Sequence, residues 1–217
     1  MKHDLPTIAY SICMQNACDG PSYCAYYEAY GLEMSMDDEW PINTIVAAPP
    51  YLVSRITKAA DVPSMGALAA ASYPPPNGDY ESLRDNGASW VIAHPSDPLD
   101  SIIQSGLNVL VCLESLDDLG RILRCKNLTN ENAIFAFQIT GTTSVDDAAS
   151  DASQIASRLS DHGLSGAQIL VSGSFAHDNL VEYAGLPGVN GLMLLDASFD
   201  RIIELLNQFT SRLESGG

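Results

Sequence analysis

A thiol at Cys13, an imidazole at His94 and carboxylates at Asp97, Glu114 and Asp196 are the side chains whose types invite chemistry in this sequence. A thiolate beside an imidazole is a nucleophile with its base. A small buried thiol that fills space is the plainer account of Cys13. His94 could act as a general acid or base or as a polarising donor, or it could only cap a strand. Asp97, Glu114 and Asp196 with His94 have the hard-ligand character of a metal site. They follow no ligand-spacing motif, so separate solvated carboxylates are expected, with no metal and no cofactor. Cys112 reads as core inside a strand, and His177 with Asp178 as the opening of a helix. Tyr23, Tyr26, Tyr27 and Tyr30 read as a packed aromatic stripe on one helix.

Such groups need a scaffold, and composition bounds it. The chain has 217 residues, 46% of them apolar and only 17% charged, which suits a single domain over 1–217 with a full core. Acidic residues number 27 against 10 basic, a formal net charge of -17. A duplex-binding surface needs clustered Lys and Arg, so nucleic acid is excluded as a partner. The same charge opposes anionic membranes. Five cysteines at irregular spacing make no disulfide framework, and no C-x-x-C pair suggests structural zinc. Residues 1–7 carry no apolar signal core and no apolar run approaches membrane-spanning length, so a cytoplasmic protein is expected.

Short apolar runs alternate with helical stretches along the whole chain. Strands are expected at 7–14, 43–48, 64–70, 90–93, 108–113, 133–138, 168–171 and 191–195. Several are apolar at consecutive positions, as parallel strands buried on both faces should be. Between them, 51–60 places Leu52, Val53 and Ile56 on one helical face, and 199–213 does the same with Ile202, Ile203, Leu205, Leu206 and Phe209. The stretch 145–162 carries Ile155 and Leu159 and ends at Gly163, suited to a left-handed C-cap. Asp117, Asp118, Asp146 and Asp147 sit near helix starts, where the dipole favours carboxylates. Strict alternation implies a parallel sheet, closed or doubly wound, and periodicity does not choose between them.

Three stretches carry a resemblance that does choose. Residues 43–51, NTIVAAPPY, resemble the second strand of triosephosphate isomerase, which ends V-A-P-P-F/Y. Residues 168–175, QILVSGSF, are similar to the seventh strand and its G-G-S phosphate loop, and 189–198, VNGLMLLDAS, to V-D-G-x-L-V-G-G-A-S. Residues 83–92 and 107–112 match the third helix, fourth strand and fifth strand in order. The resemblance spans nearly the whole chain and implies a closed (β/α)₈ TIM barrel of eight parallel strands, with its site at the carboxyl ends of the strands.

It also implies a chemistry, proton shuttling through an enediolate, whose residues are largely replaced. Cys13 stands where the first-strand N-W-K-M-N pattern has its lysine, followed by Gln15. Gln138 stands where A-Y-E-P has its glutamate, and an amide has no titratable group with which to take a proton from carbon. In WVIAHPSDP, His94 lies one residue early against W-V-I-L-G-H-S-E-R, and a one-residue slip reverses side-chain direction in a strand. Without a gap, Pro95 takes the histidine position and Asp97 that of the glutamate. Leu195 and Asp196 replace the two phosphate-binding glycines, and a carboxylate there repels phosphate. Gly173 and Ser174 remain, with Ser172 for the first glycine. The sixth loop is cut to 139–143, including Thr140, and the third to a proline-rich 72–78.

Nearly all of the ten basic residues fall on expected helices or near the N-terminus and none at a strand's carboxyl end, so an anionic substrate would meet only Asp97, Glu114 and Asp196 there. The reading is therefore a divergent isomerase-, cyclase- or lyase-type enzyme of specialised metabolism, not a functional triosephosphate isomerase, acting on a small unphosphorylated molecule. Its expected residues are His94, Cys13, Gln138, Asp97 and Asp196 for catalysis, and Gln15, Glu114, Thr140, Ser172, Gly173 and Ser174 for binding. A catalytically inactive barrel serving binding or assembly is the alternative. Any homodimer is expected to avoid the shortened third loop.

Overall fold

The computed structural model describes residues 7–11, 43–54, 57, 68–71, 73–75, 77–140, 143–173, 180–194 and 208. Eight strands lie within them: β1 (Thr7–Ser11), β2 (Asn43–Ala48), β3 (Leu68–Ala71), β4 (Trp90–Ala93), β5 (Asn108–Leu113), β6 (Ala133–Gln138), β7 (Gln168–Gly173) and β8 (Gly191–Leu194). They form a closed barrel in sequential order, every pairing parallel, with β8 returning to β1. Four of these strands have the expected bounds. β7 runs two residues further, because Ser172 and Gly173 still find partners in Met193 and Leu194. β3 begins at Leu68 and extends to Ala71.

Alternation sorts the side chains into two layers. Ala9, Ile45, Ala47, Trp90, Leu110, Ile134, Ala136, Leu170 and Met193 fill the barrel interior, with Ile92 and Cys112 packed against them. The intervening residues, among them Val91, Val109, Val111, Phe135, Phe137, Val171 and Leu192, pack outward against the helices. Both faces of the sheet are thus buried, the physical reason for the consecutive apolar runs.

The described helices are α1 (Tyr80–Asp85), α2 (Leu99–Gln104), α3 (Leu116–Ile122), α4 (Val145–Asp161) and α5 (Leu180–Ala184), with a 3-10 turn at Pro50–Leu52. The helix between β4 and β5 is short, as its few linking residues require: α2 has six residues. In α4, Ala148, Ala152, Ile155 and Leu159 are buried at helical spacing. Ser144 caps its start by accepting from the Asp147 N–H. It ends in a Schellman turn: Gly163 takes φ 78°, its N–H donates to the Ser160 carbonyl, and the Leu164 N–H donates to the Leu159 carbonyl. The expected stripe Tyr23–Tyr30, the helix at 199–213 apart from helical Gln208, and His177 with Asp178 lie outside the described residues. No helix among the described residues is long and apolar enough to cross a membrane.

The seam where the barrel closes depends on one glycine. A Cβ at Gly191 would stand 1.8 Å from the Thr7 carbonyl oxygen, so β8 can approach β1 only without a side chain there. β7 and β1 are not neighbours, since β8 lies between them. Across that glycine, the Thr7 hydroxyl donates to the Gln168 Oε1 at 2.8 Å, both residues buried at the barrel floor.

Candidate active site

Strand parity decides which residues reach the mouth. On β4 the interior residues are Trp90 and Ile92, so the next in phase is His94. His94, just past the strand, is exposed and in phase with these interior residues, whereas Pro95 is buried. On β5, Leu110 and Cys112 lead to Glu114, and on β6, Ile134 and Ala136 lead to Gln138. Cys112 pairs with Ala136, so one step further along the same register Glu114 stands beside Gln138. Gln138 pairs in turn with Ser172 on β7. His94, Glu114 and Gln138 are exposed, whereas Ser172 is buried below the rim.

The loop after β4 fixes the imidazole. The Ser96 backbone N–H donates to His94 Nδ1 at 3.2 Å, and the Ser96 hydroxyl lies 2.7 Å from the same atom. A backbone N–H can only donate, so Nδ1 accepts and the neutral ring carries its proton on Nε2. That Nε2 faces Glu114 Oε1 at 3.8 Å, too long for a direct hydrogen bond. Asp97 acts on the backbone instead. Its carboxylate accepts the His94 backbone N–H at 2.7 Å and so staples the turn.

The loop after β5 is fixed as firmly. Asp118 and Ser115 form a capping box at the start of α3. The Asp118 carboxylate accepts from the backbone N–H groups of Glu114 and Ser115 and from the Ser115 hydroxyl. Three donors offset the cost of burying this charge, and the backbone of Glu114 is held while its side chain remains free to reach over the mouth. A cleft of about 40 Å³ lies between the ends of β5 and β6 and α4, lined by the outward-facing Leu113, Phe137 and Ile155 as well as by Glu114, Gln138 and Asp151. Sequence reading missed the parts played by Ser96, Ser115 and Asp151. The S-x-x-D spacing of Ser115 and Asp118 is a readable capping signal, but nothing in the sequence brings Asp151 to the rim.

Beneath the rim, Cys112 is no nucleophile. Burial, aided by the Glu114 charge, pushes its thiol up to about 12, and it donates toward the Met193 sulfur at 3.7 Å. Thr140 and Thr143 tie the short sixth loop, the Thr140 N–H donating to the Thr143 hydroxyl at 3.0 Å. The Tyr183 hydroxyl donates to the Thr143 carbonyl at 2.8 Å. Gly173 ends β7, buried. Cys13, Gln15, Ser174, Leu195 and Asp196 lie outside the described residues. Of the described cations, Arg84, Arg121 and Arg158 are helical and Arg124 and Lys126 follow α3, so none of them sits at a strand's carboxyl end. No group of three His, Cys, Asp or Glu among the described residues is arranged to hold a metal ion.

No protein-family model and no curated protein matches this sequence. Among solved structures, the chain is similar to a triosephosphate isomerase from Bartonella henselae, with a TM-score of 0.68 over 88% of this chain and 92% of that one. The fold is a TIM barrel. Sequence identity in that comparison is 22%, so the likeness establishes the architecture of this TIM barrel and leaves its chemistry to the residues at its mouth.

Proposed function

We propose that this TIM barrel is a divergent enzyme of isomerase-type proton-transfer chemistry, acting on a small unphosphorylated molecule and not on triose phosphates. One observation carries the reading: the Ser96 backbone N–H donates to His94 Nδ1, and Nε2 is turned toward a carboxylate at 3.8 Å. A neutral imidazole that presents N–H can polarise a carbonyl oxygen, and a facing carboxylate can take up a proton. The absence of Lys and Arg from the described strand ends argues against a phosphate-bearing substrate, since phosphate is normally held by such cations. Gln138, at the position that resembles the family's glutamate, cannot act as a base and is better suited to hydrogen-bonding a neutral substrate. Cys13, Gln15, Ser174 and Asp196 are assigned to the same mouth by resemblance alone.

Two measurements test this. A dehydrogenase-coupled assay of purified protein, free of host isomerase, should give no interconversion of glyceraldehyde phosphate and dihydroxyacetone phosphate. A thermal-shift screen with unphosphorylated carbonyl metabolites should yield stabilising ligands whose effect disappears in His94→Ala. Robust triose phosphate turnover would overturn the reading. A second reading, a barrel used only for binding or assembly, draws on the replacement of the family's lysine and glutamate positions by Cys13 and Gln138. A screen without any small-molecule ligand would favour it.

A further inference from the structure

We infer that Glu114, at the carboxyl end of β5, is the base of this site, so that the proton-accepting duty lies one strand away from the Gln138 amide. The inference rests on the reading of the mouth as a proton-transfer site. Elimination among the described carboxylates points to it. Asp97 is occupied by the His94 backbone N–H. Asp118 is buried and accepts three hydrogen bonds. Asp151 projects from α4, outside the ring of strand ends. Glu114 is in phase with the interior residues Leu110 and Cys112, stands next to Gln138 by register, and leaves its side chain 69% exposed toward His94. Its backbone is anchored by Asp118, so the carboxylate is positioned without being consumed as an acceptor.

The separation of 3.8 Å between Glu114 Oε1 and His94 Nε2 suits two groups that face adjacent atoms of one small molecule. In the step, the C–H bond beside a substrate carbonyl breaks and its proton passes to the Glu114 carboxylate. The bonding pair becomes the C=C of an enolate whose oxygen is held by the His94 Nε2–H. Return of the proton, or of a deuteron in D₂O, to the same carbon restores the carbonyl and regenerates both groups, so no oxidant or other reactant is needed.

Exchange of the carbon-bound protons of dihydroxyacetone in D₂O, followed by proton NMR, isolates this step with a defined probe. The wild-type protein should accelerate exchange over buffer. Glu114→Gln should lose about 10²–10⁴-fold of the acceleration, the usual contribution of a general base. Glu114→Asp should recover part of it and retain the dependence on an ionised carboxylate in its pH profile, while both variants melt as the wild type does. Acceleration by Glu114→Gln within twofold of wild type would overturn the assignment of Glu114 and leave the proton-transfer reading standing. Wild-type exchange no faster than buffer would overturn both.

Discussion

At the floor of the barrel Thr7 and Gln168 meet in a 2.8 Å hydrogen bond sealed from water, whereas at the mouth His94, Glu114 and Gln138 stand exposed with their reactive atoms unpaired or nearly so. Both sets project from strand ends into the same interior, so the difference lies in what covers them. At the floor, backbones close in: the Thr7 N–H donates to the Asn190 carbonyl, the Asn190 N–H to the Ile169 carbonyl, and Gly191 lets β8 press against β1. At the mouth, loops turn outward and spend their hydrogen bonds on themselves, Asp97 on the His94 backbone and Asp118 on Glu114 and Ser115. One end of the barrel is closed by packed backbone, and the other leaves its polar side chains open to water.

The sharpest way to break this contrast is at the seam. Gly191→Ala should destabilise the protein by about 3 kcal/mol or more, because the clash is with the Thr7 backbone, which cannot rotate away. Chemical denaturation would show it, and a loss below about 1 kcal/mol would mean that the seam is softer than its geometry implies.

Next in size is the alkaline limb of stability. Cys112, between floor and rim, titrates near 12 in the folded protein against an ordinary value of 9.0. The folded state therefore holds the proton more tightly, so the stabilisation is complete below pH 9 and is lost as pH rises from there toward about 12. The slope should be on the order of 1 kcal/mol per pH unit in that window. Melting curves of wild type and Cys112→Ala from pH 8 to 11 would converge on the alkaline side, and parallel curves would contradict the sealed thiol.

The floor hydrogen bond comes third. Thr7→Val strands the buried Gln168 carbonyl and should cost about 1–3 kcal/mol. Gln168 Nε2 already lacks a hydrogen-bond partner. Thr7→Val with Gln168→Leu should accordingly cost less than Thr7→Val alone, since both ends of the bond become apolar. Additive losses in the double-mutant cycle would show that the pair is not coupled.

The smallest effect on stability belongs to the rim. His94→Ala should change the unfolding free energy by no more than about 0.5 kcal/mol, as expected for an exposed side chain. A larger loss would make His94 a structural cap.

Much of the fold is legible in the sequence because burial on both sheet faces forces consecutive apolar residues. The bounds of β2, β4, β5 and β6 follow from that alone. Gly163 marks the end of α4 because only a left-handed residue completes its Schellman turn cheaply. β7 escapes the pattern, since Ser172 and Gly173 are neither apolar nor β-branched and are strand only through their neighbours. The candidate site divides the same way. That Gln138 cannot be a base is a matter of residue type.

Whether His94 reaches the mouth is not in the local sequence, because a strand-end slip of one residue reverses direction and only the closed barrel fixes the phase of β4 against β5. The meeting of His94 with Glu114, and of Glu114 with Gln138, belongs to the tertiary structure alone. Residue type supplied the imidazole, the carboxylate and the amide. Their distances were set by curvature and register, which bring together three strand ends separated in the chain by whole helices.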